Sequence, residues 1–127
     1  MGVRVSLIYR PIVKGDIQFP ITPRQTNTII EMFEVIRDNE YGRKVSGVEV
    51  SAAQDAQGRI QELAERICAT HSLTDFDCTI RLGFVPSGEP CACIRTAGIE
   101  RHDALHGADD FAHELTKLGV IKREARG

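Results

Sequence analysis

Val3, Val5, Leu7 and Tyr9 alternate with Arg4, Ser6 and Ile8. A period of two is the signature of a half-buried strand. Ile17, Phe19 and Ile21 alternate again after a turn at Gly15 and Asp16. Pro20 cannot donate to a ladder, so this second strand is expected at a sheet edge. The period then lengthens. Thr22, Pro23 and Gln25 form a capping-box start, and Ile29, Met32, Phe33 and Ile36 recur at helical spacing. That spacing predicts a first helix, ending near Asn39.

Val48 and Val50 mark a third strand. Ser51 and Gln54 repeat the capping-box logic, and Ile60, Leu63, Ala64 and Ile67 give an i, i+3, i+4, i+7 stripe for a second helix. Gly58 weakens its start, so the helix could begin there. Phe76, Cys78, Ile80, Leu82 and Phe84 fall on one side of a single alternating run and predict one long strand. A turn over residues 85–90 returns the chain through Cys91, Cys93 and Ile94. Leu105, Ala108, Phe111, Ala112, Leu115 and Leu118 line a third helix, with Gly119 as its cap.

The expected fold class is α+β: a single-domain sandwich with a mostly antiparallel sheet of four or five strands and three helices. The expected order is β-β-α-β-α-β-β-α. Residues 1–121 form that domain in this reading, and residues 122–127 form a flexible C-terminal tail.

Composition narrows the class. The chain has 127 residues, 42% hydrophobic and 27% charged, which is ordinary for a globular domain. Its net charge of −2 argues against a non-specific phosphate-backbone binder, so nucleic acid is not expected as a partner. No apolar run reaches the ~20 residues of a membrane-spanning helix. No secretory leader is visible. Gly2 and Ser6 fit a myristoylation pattern, but the alternation through Leu7 reads more simply as a strand. Arginine exceeds lysine twelve to four, a composition that suggests a bacterial or phage source.

Four cysteines without a leader read as reduced thiols in a cytoplasmic protein. Their orientation depends on the turn before Cys91. A two-residue loop sets Phe84 opposite Cys91 and Leu82 opposite Cys93, with both thiols in the core. A three-residue loop sets Ile80 opposite Ile94 and Leu82 opposite Ala92, with both thiols on the other face. Pro86 and Gly88 suit the second. Cys91 and Cys93 would then be available, with His102 and His106, as a tetrahedral zinc set. The C-x-C spacing departs from the usual knuckle, and Gly107 argues against a helix through the histidines.

Other clusters carry less. Arg37, Tyr41, Arg43 and Lys44 could contact an anionic ligand or a partner, with Tyr41 available for stacking. His106, Asp109 or Asp110, His113 and Lys117 share one helix face, an acid–base row or simply a wet surface. Ser87 lacks the elbow of a nucleophile. No catalytic residue is assigned.

The expectation is therefore a small cytoplasmic, non-enzymatic binding protein acting through a protein–protein surface, of inhibitor, immunity or regulatory type. Its partner would be another protein, with a homodimer as one form and no membrane contact. No cofactor is expected on this reading. The alternatives are a small zinc protein or metal-dependent enzyme using the Cys/His set, and a small-ligand or nucleotide-binding domain.

Overall fold

The structure, a computed structural model, describes residues 2–13, 26–40 and 42–125. The strand expected around Ile17–Ile21 and the capping box at Thr22–Gln25 lie outside those residues.

Four strands form the larger sheet, in the order β1-β6-β8-β2. β1 (Gly2–Ile8) runs parallel to β6 (Leu73–Arg81), β6 antiparallel to β8 (Pro90–Gly98), and β8 antiparallel to β2 (Thr28–Val35). A second antiparallel sheet has the order β7-β5-β9, made of β7 (Gly83–Pro86), β5 (Gly47–Ala52) and β9 (Val120–Ala125). A short ribbon joins β3 (Asn39–Glu40) to β4 (Arg43–Lys44). Two helices, α1 (Ala56–His71) and α2 (Arg101–Leu115), complete the described chain.

α+β stands, but three helices become two and the order changes. The segment read as the first helix is β2. Its residues alternate between half-buried and exposed along the whole strand. Ile30 and Met32 face the helices, while Ile29, Phe33 and Val35 face the other way and are exposed. Apolar side chains on both faces of a strand reproduce helical spacing by coincidence. Thr28, Ile29 and Ile30 are β-branched and favour extended backbone.

The run from Phe76 to Phe84 is two strands, not one. Gly83 has φ +88°, a left-handed conformation open to glycine, and the chain turns there from the first sheet into the second. Neither expected hairpin register occurs. Ile80 pairs with Ala92 and Cys78 with Ile94, because β7 is inserted before the turn. Residues 122–125, read as tail, belong to β9: Lys122 pairs with Val50 and Glu124 with Val48.

Both expected stripes do form helices. α1 buries Ile60, Leu63, Ala64 and Ile67, and α2 buries Ala104, Ala108, Phe111 and Leu115. Ser51 lies in β5, so no capping box forms there, and α1 begins at Ala56. α1 stops at Ser72, which turns left-handed and donates its N–H to the Cys68 carbonyl. Gly107 does not interrupt α2. A Cβ there would sit 3.0 Å from Leu73 Cδ1, so glycine lets the helix approach β6 closely. Phe76 and Phe111 meet edge to face at 4.7 Å at the centre of this layer. Thr96 Oγ1 donates to the Ala104 carbonyl, and His71 Nε2 lies 3.0 Å from Asp110 Oδ2, tying β8 to α2 and α1 to α2.

Candidate functional site

Cross-strand pairing assembles a row that sequence distance hides. Arg4 pairs with Asp77, Asp77 with Arg95, and Arg95 with Glu31. Cations and carboxylates thus alternate across all four strands, on the face away from the helices. Arg95 Nε donates to Glu31 Oε2 at 2.7 Å. Asp77 is 1% exposed, and neither of its oxygens accepts a hydrogen bond from a described residue. Burial raises the Asp77 carboxyl above the usual carboxylate range, and the Arg4 and Arg95 guanidiniums pull against that rise. Beside it, Asp75 Oδ1 accepts a long 3.4 Å bond from the Gly2 amide. The next row is Ser6, Thr79, Cys93 and Phe33.

A cleft of about 200 Å³ opens at the other end of the sheet, where the two sheets and the end of α2 converge. Glu34, Ile80, Cys91, Ala112, Leu115 and Lys122 are among its walls. Its lining is mostly apolar with one carboxylate and one ammonium, the usual make-up of a small-molecule pocket. Glu34 reaches it from β2 at the point where the pairing with β8 shifts by one residue between Glu34 and Val35. That bulge sets Cys91 against the cleft, while Cys93 stays on the opposite face.

The expected zinc set is not brought together. Cys91 and Cys93 are buried, and His102 and His106 are exposed on the first turns of α2. Cys91 sits by Ala112 and Leu115, at the far end of that helix. Among the described residues, no group of three or more metal-ligating side chains occurs. Burial also makes Cys68, Cys78 and Cys93 poor nucleophiles. Desolvation pushes Cys93 up to about 11 and Cys68 up to about 12, and raises Cys78 well above the ordinary thiol value. Of the loop residues, Arg37 lines a shallow hollow with Ile36, Asp38, Ser87 and Gly88, and Lys44 is exposed on β4. Tyr41 and the Arg43 side chain lie outside the described residues.

Sequence reasoning missed both the charged row and the cleft. Only a partial signal existed: Arg95 is the one charge within Pro90–Gly98, and nothing in the sequence ties it to Arg4, Glu31 or Asp77. No signal marked the cleft, because Lys122 was assigned to a tail.

The family model described as "MoaE protein" matches residues 16–117. The chain belongs to the MoaE family. This overturns the reading as an inhibitor, immunity or regulatory binding protein. Solved structures agree on the fold. Molybdopterin synthase from Staphylococcus aureus superposes with a TM-score of 0.82 at 14% identity, covering 95% of this chain and 90% of that one. The molybdopterin biosynthesis MoaE protein of Burkholderia ambifaria gives 0.73 at 12% identity, over 98% and 91%. A complex of subunits 1 and 2 of molybdopterin-converting factor from Helicobacter pylori gives 0.71 at 10% identity, over 94% and 83%. No curated protein sequence matches this MoaE chain.

Proposed function

We propose that this MoaE protein is a subunit of a molybdopterin synthase and acts in complex with a second, non-identical subunit. The family match over residues 16–117 carries the reading. Support comes from the likeness to the Staphylococcus aureus synthase over 95% of the chain, and from the two-subunit Helicobacter pylori assembly. The expectation of a protein partner thus keeps its place with a more definite chemistry. A cytoplasmic site of action goes with the family reading. No helix among the described residues is long and apolar enough to cross a membrane.

The cleft between the sheets is the candidate reaction site. Lys122 offers an ammonium to an anionic group of substrate or partner, and Glu34 offers a carboxylate across the same cavity. Ile80, Ala112 and Leu115 lower the local dielectric and strengthen both charges.

The test is reconstitution. The purified chain, mixed with the second synthase subunit encoded in the same genome and the molybdopterin precursor, should form a stable complex and make molybdopterin. The absence of both association and product would overturn the proposal. Lys122→Ala should still assemble but turn over about 100-fold more slowly, the scale of losing one charge-stabilising group. Wild-type turnover in that variant would move the chemistry out of the cleft.

A further inference from the structure

α2 carries two histidines one turn apart on its solvent side. Both His102 and His106 are exposed, and their ring centres are 6.1 Å apart. Neither is needed for packing, because α2 buries Ala104, Gly107, Ala108 and Phe111 instead. Asp103 Oδ1 stands 3.3 Å from His102 Nε2, adding negative charge beside the pair. We propose that His102 and His106 form a two-imidazole surface site for a borderline divalent metal ion of the zinc, nickel and copper group.

The spacing suits such an ion. A metal–nitrogen bond of about 2.0–2.1 Å, with the ring centre about 1.1 Å behind the nitrogen, sets two imidazoles about 5.2 Å apart at a tetrahedral angle. The observed 6.1 Å closes to that value by a movement of about 1 Å, small for exposed side chains free to change rotamer. Imidazoles at i and i+4 on one helix face are a recurrent chelating pair. Two protein ligands leave the remaining coordination positions to water or to an outside ligand, so this is an open, exchangeable site and not a structural one. The buried thiols Cys91 and Cys93 take no part.

The test uses the full chain without a histidine tag, titrated with zinc chloride by calorimetry. One ion should bind per chain. His102→Ala and His106→Ala should each weaken binding by about tenfold or more, since the second imidazole acts as an intramolecular ligand. His113→Ala, on an exposed position farther along α2, should leave it unchanged. Zinc should also shift the ring-proton resonances of His102 and His106 ahead of those of His71 and His113. Wild-type affinity in the His102→Ala, His106→Ala double variant would overturn the site, as would an equal loss in His113→Ala.

Discussion

The two faces of the four-stranded sheet are built from the same strands and hold themselves together by opposite means. Toward the helices, Val5, Cys78, Ile94 and Met32 make one apolar row, and Val3, Phe76, Thr96 and Ile30 make the next. Away from them, the rows are Arg4–Asp77–Arg95–Glu31 and Ser6–Thr79–Cys93–Phe33. The first face is stabilised by dispersion and water exclusion, which need shape and little else. The second buries charge, which demands that each ion meet its opposite. An apolar face therefore degrades in proportion to the volume removed, whereas a charged row suffers most where the lost member leaves a buried charge poorly compensated.

The largest effect is expected on the apolar face. Phe111 is fully buried against Phe76, so Phe111→Ala should cost about 3–5 kcal/mol in urea unfolding. On the charged face, Arg95→Ala leaves buried Asp77 with Arg4 as its remaining near cation and takes from Glu31 its 2.7 Å partner. It should cost about 2–3 kcal/mol, although few apolar contacts are lost. Full-strength unfolding of the arginine variant at wild-type denaturant concentrations would erase the contrast between the faces.

Asp77→Asn tests the sign of the electrostatics. Burial raises the Asp77 carboxyl in the folded state, so the folded protein binds that proton more tightly than the unfolded chain. The wild type then loses stability as pH climbs through the ordinary carboxylate range toward the elevated folded value, and the loss persists above it. The asparagine variant has no such proton. Its melting temperature relative to wild type should rise from pH 4 to pH 7. A flat or falling difference would show that Arg4 and Arg95 outweigh burial. Smallest of all, Glu31→Gln should cost about 0.5–1 kcal/mol, because that carboxylate is 35% exposed and partly screened by water.

This contrast also explains which parts of the molecule could be read in advance. α1 and α2 each bury a single stripe and leave the rest wet, so Ile60 to Ile67 and Leu105 to Leu115 announced helices, although Leu105 itself turned out exposed. β2 has apolar residues on both faces, and its periodicity could not separate a strand from a helix. The break at Leu82 rests on the conformation of Gly83, which alternation does not encode. The charged row was illegible for a different reason. Its members lie at positions 4, 31, 77 and 95, and only strand pairing makes them neighbours. The expected metal set failed where a helix length separates Cys91 from the histidines. The family assignment came from similarity across the chain and not from a compact motif, so no short stretch could have supplied it.

The parallel pairing of β1 with β6 has a consequence for synthesis. Gly2 meets Asp75, 73 positions later, and among the described strands β1 has no other neighbour. At roughly 5–20 residues per second, translation leaves that first strand waiting about 4–15 seconds for its mate. Throughout that interval Val3, Val5 and Leu7 lack the strand they pair with in the fold. Chaperone capture of nascent chains should therefore concentrate on this amino-terminal segment, and release should coincide with emergence of Leu73–Arg81.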